Sequence, residues 1–191
     1  MKITITGNCQ TKALTWYIQQ LNPNFDVRWL QPKFGEKSGW AKPGIFRGKP
    51  IPTITETEGA IERLMDTSFL IYQDMLPETS EDLNFEKIKS YNPECHFISI
   101  SSFYFYPDCS QQTGLSGMID RAKRFNIDIP AHKLIEKHGS NIKIESSSQC
   151  PAHPTVFYFL ELVREICAKT GWDYYSEKQY NQYLKEGYPF G

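Results

Sequence analysis

Short apolar segments alternate along this chain with segments of helical periodicity, and this alternation constrains its fold more than any other feature of the sequence. Residues 2–6 alternate polar and apolar side chains as a strand does, and apolar residues then recur at helical spacing from Ala13 to Leu21. Further apolar segments of strand length lie at 26–30, 69–72 and 95–100. Parallel strands need a crossover connection, and a helix between them supplies it. The pattern therefore predicts a three-layer α/β/α fold with a mostly parallel sheet.

The remaining segments are assigned in the same way. The clearest helix is predicted at 154–169, where Pro154 suits the first turn and Gly171 the end. Shorter helices are predicted at 58–65, 85–91, 116–125 and 130–138, and a last strand at 141–145. Residues 31–52 and 101–113 lack periodicity and are interpreted as long surface loops, which are often functional.

Length, charge and cysteine content restrict the class of protein. With 191 residues, 40% of them hydrophobic, we expect one domain that covers residues 1–191. The 21 basic and 22 acidic residues nearly cancel and are scattered, so no surface for nucleic acid is predicted. No apolar run resembles a signal peptide or a membrane span, and we therefore expect a cytoplasmic protein.

The five cysteines are an odd number at irregular spacing, which favours a reducing compartment over a disulfide framework. The sequence has no CxxC pair, and its four histidines show no HExxH spacing. We therefore expect no metal cofactor. The sequence leaves the oligomeric state open.

In parallel α/β sheets, reactive groups lie in the loops at the carboxyl ends of the strands. Cys9 follows the first strand and precedes the first helix, where the helix dipole and free amide groups favour a thiolate. We interpret Cys9 as a nucleophile, with the side chains of Asn8 and Gln10 as hydrogen-bond donors to a developing oxyanion. The alternative is that Cys9 is a small buried residue and Gly7 only permits a tight turn.

His153 is the candidate general base. It is flanked by Pro151 and Pro154 ahead of the last helix, which would hold its imidazole at a fixed position. A nucleophilic thiol needs such a base within hydrogen-bond reach, and a histidine distant in sequence can supply it. The alternative is a polar residue that only caps the helix. His96, His132 and His138 are interpreted as structural residues of a strand and of surface helices.

Other candidates lie in the loops. Gln73 follows an apolar strand, where its amide could bind a substrate carbonyl or simply be solvated. The aromatic segment 103–108, which includes Tyr106 and Asp108, could wall a sugar or acyl pocket or pack under the loop. The basic residues of the first long loop could bind the phosphates of a nucleotide-like cofactor, although a solvated loop is the simpler interpretation; they are Lys33, Lys37, Lys42, Arg47 and Lys49.

Four short motifs occur in one order along the chain. They are Gly7-Asn8-Cys9-Gln10, Tyr72-Gln73, Phe105-Tyr106-Pro107-Asp108 and His153-Pro154-Thr155. In these motifs the chain resembles the WcbI-type polysaccharide biosynthesis proteins. The resemblance implies an acetyltransferase of capsule or surface-polysaccharide assembly that binds coenzyme A, with the cysteine and histidine in the roles given above.

The same resemblance implies a flavodoxin-like or SGNH-hydrolase-like sheet. SGNH hydrolases carry a serine at the position of Cys9 and an aspartate three residues before the histidine, where this chain has Cys150. The residue that orients His153 is therefore open, with Asp108, Asp74 and Glu145 as candidates. A Cys–His pair without a third member is also possible, because a thiolate is intrinsically nucleophilic.

Three functions follow as alternatives. The first is transfer of an acetyl group from coenzyme A to a sugar hydroxyl, through acyl-Cys9 or by direct attack. The second is an SGNH-like esterase or thioesterase, in which water replaces the sugar. The third is a non-catalytic module that binds a glycan or a nucleotide. Small molecules or glycans are the expected partners in all three.

Overall fold

The computed structural model describes residues 1–32, 44–46, 49–55, 59–74, 83–103, 111–142, 144–147 and 150–187. The chain divides into two compact units, Met1–Ser99 and Ile100–Gly191, which are described in turn. The expected single domain over residues 1–191 stays a prediction.

The first unit alternates strands and helices. The chain begins with β1 (Lys2–Thr6), α1 (Cys9–Leu21) and β2 (Asp26–Gln31). A short antiparallel pair, β3 (Ile45–Phe46) with β4 (Lys49–Pro50), precedes the edge strand β5 (Thr53–Thr55). Helix α2 (Ala60–Met65), β6 (Phe69–Gln73), α3 (Phe85–Tyr91) and β7 (His96–Ile100) follow.

The five-stranded sheet is all-parallel, in the order β5-β2-β1-β6-β7. Central strand β1 pairs on both sides, and Ile5 is in register with Trp29 of β2 and with Ile71 of β6. The four longer strands stand in the flavodoxin-like order, and β5 adds a short edge beside β2. The predicted three-layer α/β fold with a mostly parallel sheet is confirmed. The order places the topological switch point between β1 and β6.

The core of this unit explains why its strands are so apolar. Ile3 and Ile5 of β1 are fully buried, and so are the intervening Thr4 and Thr6, because a parallel sheet is covered on both faces. The hydroxyl of Thr6 donates to the carbonyl of Leu30 at 3.0 Å. Helix α1 is buried over nine consecutive residues, 10–18, so it is enclosed rather than amphipathic.

Arg63 of α2 fixes the amino ends of the two central strands. Its guanidinium donates to the Asp26 carboxylate at 2.7 Å, to the Asp26 carbonyl at 2.7 Å and to the Ile3 carbonyl at 3.1 Å. Burial works to raise the pKa of Asp26, but hydrogen bonds from Arg28 and Arg63 outweigh it and the pKa is lowered. Asp26 is therefore held as a carboxylate at the end of the sheet opposite to Cys9.

The second unit contains four helices and a hairpin within its described residues. They are α4 (Gln111–Phe125), α5 (Ala131–His138), a 3-10 turn (Gly139–Asn141), β8 (Ile144–Ser147), β9 (Cys150–Pro154), α6 (Val156–Thr170) and α7 (Glu177–Glu186). Strands β8 and β9 are antiparallel, and an isolated parallel bridge joins Ile100 to Ile129.

Several segment predictions were wrong. The residues before the helix predicted at 154–169 form strand β9 rather than a loop, and Pro154 ends that strand while Thr155 is the N-cap of α6. That helix is not the last, because α7 follows it. The strand predicted at 141–145 starts at Ile144, after the 3-10 turn. Part of the 31–52 loop is regular, since it contains β3 and β4, and Ile51 is buried. Residues 33–43 and 47–48 lie outside the described residues.

No helix within the described ranges is both long and apolar enough to cross a membrane.

Candidate functional site

Cys9 is the first residue of α1 and lies just beyond the carboxyl end of β1, at the switch point of the sheet. The connection between strand and helix is only two residues long, Gly7 and Asn8. Gly7 has a φ of 153°, which a residue with a side chain rarely adopts. The sharp turn therefore depends on glycine, and it leaves the Cys9 side chain partly exposed.

Asn8 caps the helix that begins at Cys9. Its side-chain oxygen accepts from the backbone amide of Gln10 at 2.9 Å, as an N-cap asparagine does. Its carbonyl accepts from the amide of Thr11 at 3.0 Å and from the Thr11 hydroxyl at 2.7 Å. Within the described part of the chain, the side-chain amide nitrogen of Asn8 donates to no protein acceptor.

Gln73 joins the end of β6 to this turn. Its side-chain oxygen accepts from the backbone amide of Asn8 at 2.9 Å, and its nitrogen donates to the side-chain oxygen of Gln10 at 2.8 Å. Gln73 is 1% exposed, so the alternative of a solvated loop residue was wrong. The structure brings Asn8, Gln10 and Gln73 together in one hydrogen-bond network. Gln73 stabilises the turn between β1 and α1 because it bonds to both Asn8 and Gln10.

Lys12 is a residue of this site that the sequence interpretation missed. It lies one helical turn after Cys9 and is only 6% exposed. Its ammonium lies 5.5 Å from the centroid of the Trp29 ring, a cation–π arrangement. Burial lowers the pKa of Lys12 below its ordinary value, and the negative charge of Cys9 acts in the opposite direction. The spacing of three residues on a predicted helix was the signal that could have identified it.

The other described thiols have different surroundings. Cys95 directly precedes β7, and burial raises the pKa of its thiol. Cys167 lies in α6, where burial and the charge of Asp173 raise the pKa of its thiol to about 12. A thiol that stays protonated is a poor nucleophile. Of the three thiols whose surroundings are described, Cys9 is the best placed to react.

We expect Cys9 to be alkylated faster at neutral pH than Cys95 or Cys167, because the environments of both others favour the thiol form. Limited reaction with iodoacetamide, followed by mass mapping of cysteine-containing peptides, measures each site in one experiment. Labelling in the unfolded state provides the control for intrinsic differences. If Cys95 or Cys167 reacted as fast as Cys9 in the folded protein, Cys9 could not be called the activated thiol.

The structure describes the backbone of His153 in β9. In the antiparallel register His153 is paired with Glu145, one of the three candidates to orient it. A second candidate, Asp74, follows β6 and is buried. The third, Asp108, and the predicted pocket residue Tyr106 lie outside the described residues, and so do Lys33, Lys37, Lys42 and Arg47.

The remaining histidines contact other side chains or the core. His96 stacks on Phe69 with ring centroids 4.6 Å apart, and His138 lies 3.3 Å from Glu161. His132 is 8% exposed, so its assignment to a surface position was wrong, and burial lowers its pKa. The described residues contain no group of three or more histidine, cysteine or acidic side chains arranged to hold a metal ion.

Fold and site together define an α/β protein with a parallel sheet and a capped, partly exposed helix N-terminus that presents a cysteine at the switch point. A comparison with models of known protein families finds no match, and a search of curated proteins finds none either.

Proposed function

We propose that this protein transfers acyl groups and that Cys9 is its nucleophile. The observation that carries the proposal is the position of Cys9 as the first residue of α1 at the sheet's switch point, one turn from a buried lysine. Ligands of open α/β sheets bind at such switch points. The helix N-terminus and the ammonium both favour a negatively charged sulfur there.

The reaction would proceed in two steps. The Cys9 thiolate attacks the acyl carbon of a thioester, the carbon–sulfur bond of the donor breaks, and the donor sulfur leaves with the electron pair. The acceptor hydroxyl then attacks the acyl carbon of acyl-Cys9 and loses its proton to a base, for which His153 is proposed. The carbon–sulfur bond to Cys9 breaks, the Cys9 sulfur leaves with the electron pair as the regenerated thiolate, and the acyl group remains on the acceptor oxygen. The Asn8 side-chain nitrogen, which has no protein acceptor among the described residues, suits hydrogen bonding to the oxyanion of each step.

The register of the hairpin supports Glu145 as the residue that orients His153. The two are direct partners in an antiparallel ladder, in which opposite Cα atoms are about 4.5–5.5 Å apart. Directly opposite residues of such a ladder have their side chains on the same face of the sheet, and a carboxylate that hydrogen-bonds an imidazole fixes its tautomer.

Coenzyme A as donor and a sugar hydroxyl as acceptor are proposed from the resemblance of the four motifs to the WcbI-type proteins. Capsule or surface-polysaccharide assembly is the corresponding process. Tyr106, Asp108 and the loop 31–52 are proposed to contribute to the binding of sugar or cofactor.

Incubation with labelled acetyl-coenzyme A, followed by intact-protein and peptide mass measurement, tests this proposal. We expect one acetyl group on Cys9 and none in Cys9→Ala, while Cys95→Ala, the matched control, is labelled like the wild type. Adding a panel of sugars should discharge the acetyl group onto one of them.

The other outcomes decide against parts of the proposal. Release of free acetate at the same rate with and without sugar would make the protein a thioesterase. Turnover without acyl-Cys9, and retained in Cys9→Ala, would show direct attack by the acceptor. Tight binding of coenzyme A or a glycan with no turnover would indicate a binding module.

A further inference from the structure

We propose that Lys12 is a positioning residue for Cys9: its buried ammonium is the resident counter-ion that holds the Cys9 sulfur as a thiolate in the resting protein. This rests on the proposed function only for the use of the thiolate, since the ion pair itself needs no substrate. In this arrangement His153 is left free to act on the acceptor hydroxyl, because the thiol does not need to be deprotonated by it.

Helix geometry places the two groups on the same face. Cys9 and Lys12 are three residues apart on α1, and such pairs are neighbours on a helix surface. Side chains on a helix lean toward its N-terminus, so the long Lys12 side chain extends back over the turn that carries Cys9. The helix N-terminus adds its own positive potential at the same place.

Burial makes the charge of Lys12 significant. A lysine that is 6% exposed has lost most of its hydration, and a buried charge is costly unless it is compensated. The Trp29 ring compensates it in part, and it is held in place because the indole nitrogen donates to the Thr11 hydroxyl at 3.0 Å. A thiolate one turn away would add a full negative charge at the same end of the helix.

Helix α1 packs against β1, β2 and β3. The charged residues of these strands are Lys2, Asp26 and Arg28, which belong to the amino-terminal halves of β1 and β2, whereas Cys9 follows the carboxyl end of β1. The β2 neighbour of Lys12 is the uncharged Trp29, and at the end of β6 the uncharged Gln73 is followed by the buried Asp74. Among the described residues, Cys9 is the group whose negative charge raises the pKa of Lys12, against the larger effect of burial. The electrostatic coupling in question is therefore the one between Cys9 and Lys12.

The pairing has a chemical consequence. When Cys9 attacks a thioester, a carbon–sulfur bond forms at Cys9 and another breaks in the donor, so one negative charge moves from the Cys9 sulfur to the leaving sulfur. Both sulfurs bond to the same carbon in the course of this exchange, so an ammonium that acts on the Cys9 sulfur would act on the leaving sulfur as well. Lys12 thus stabilises the attacking and the departing thiolate with one charge.

Titration of the Cys9 thiolate tests the proposal without any acyl donor. The rate of Cys9 alkylation, followed by peptide mass mapping over a range of pH, gives the midpoint of thiolate formation. We expect Lys12→Met to raise that midpoint by about one pH unit, which is about a tenfold slower reaction near neutrality. Lys12→Arg should keep the midpoint near that of the wild type because it keeps the charge.

Lys2→Met is the matched control. Lys2 lies at the opposite end of β1 from Cys9 and pairs with Asp66 on the surface, so its loss should leave the midpoint unchanged. A midpoint in Lys12→Met equal to those of Lys2→Met and the wild type would overturn the proposal. Melting temperatures of all variants establish that the folded state is being compared.

A reciprocal measurement covers the case in which Lys12→Met does not fold. Two coupled groups must shift each other's pKa equally, so Cys9→Ser should lower the pKa of Lys12 by about one unit, as followed by NMR of the lysine side chain. An unchanged Lys12 titration would also overturn the proposal. Acyl transfer is measured separately, so a protein with the ion pair but no transfer would refute the proposed function and leave this inference standing.

Discussion

Replacing Gly7 by alanine should reduce the free energy of unfolding by about 3 to 5 kcal/mol, the sum of a steric and a conformational cost. A Cβ atom at Gly7 would lie 2.5 Å from the Cβ of Gln73 and 2.6 Å from the Cγ2 of Thr11, closer than carbon atoms approach. The backbone at φ 153° is also unfavourable for alanine. Both neighbours are held by hydrogen bonds, so neither can move without breaking the network around Asn8.

Two other glycines give a graded control for the same substitution. Gly117 lies within α4 with open space around an added Cβ, so Gly117→Ala should stabilise the protein by up to about 1 kcal/mol. Gly171 ends α6 at φ 73°, again with open space, so Gly171→Ala should destabilise by about 1 kcal/mol.

Urea unfolding followed by tryptophan fluorescence gives the free energy of unfolding of the wild type and of the three glycine-to-alanine variants, and so their order of stability. The steric argument for the turn fails if Gly7→Ala is no less stable than Gly171→Ala, since backbone conformation alone would then account for its effect. A folded Gly7→Ala protein should in addition show altered Cys9 alkylation, because the same turn positions Cys9 at the start of α1.

The parallel sheet was predictable because its longer strands are short segments that carry buried apolar residues and are separated by segments of helical spacing. Ile3 and Ile5 alternate with threonines in β1, whereas Leu70 and Ile71 lie in a continuous apolar run in β6. The edge strand β5 is only three residues long and intermediate in exposure, so its sequence carries no comparable pattern. The sequence therefore predicts the centre of a parallel sheet better than its edge.

The second unit was predicted less well, for two physical reasons. Strand β9 contains Pro151 and Pro154, which lack an amide donor and normally argue against a strand, although a two-stranded edge tolerates them. Helix α7 has no buried residue, so apolar periodicity could not identify it. Its signal was instead the capping box, in which Ser176 and Gln179 bond each other's backbone amides.

Some residues of the candidate site could likewise be predicted from the sequence, and others could not. Cys9, Asn8 and Gln10 could be assigned because a strand, a glycine and a helix follow one another within a few residues. The buried position of Lys12 could not, since lysine is mostly exposed and its burial here depends on Trp29, a residue of another strand. The pairing of His153 with Glu145 also could not be predicted, because it depends on a hairpin whose strand contains two prolines and was therefore not recognised as a strand.

Glu161 is a buried carboxylate with several partners, and no part of the proposed reaction uses it. It lies on α6, is 1% exposed, and accepts from the Tyr180 hydroxyl at 3.1 Å and from Arg164 at 3.0 Å. His138 of α5 lies 3.3 Å away. Burial, together with the charge of Glu161, raises the pKa of Tyr180 to about 12. Side chains from α5, α6 and α7 thus contact the carboxylate of Glu161.

Replacing Glu161 by leucine should therefore reduce the free energy of unfolding by about 3 kcal/mol. Removing one member of a buried ionic network costs about 3–5 kcal/mol, and the lower end applies here because Arg164 is 45% exposed and can be rehydrated. The same change at Glu165, one turn along α6, removes only the surface pair with Lys137 and should cost less than about 1 kcal/mol.

Hydrogen exchange locates the effect of the Glu161 substitution. Helix α7 buries none of its own residues, and Tyr180 joins it to α6 through the hydrogen bond to Glu161 and a cation–π contact with Arg164. Because Glu161→Leu removes that hydrogen bond, the amides of α7 should exchange faster in Glu161→Leu than in Glu165→Leu. Equal stability and equal exchange in the two variants would mean that the carboxylate contributes nothing beyond the packing of its carbon atoms. Because α6 directly follows the strand that carries His153, a loosened network should also lower the rate of acyl transfer more than it lowers alkylation of Cys9.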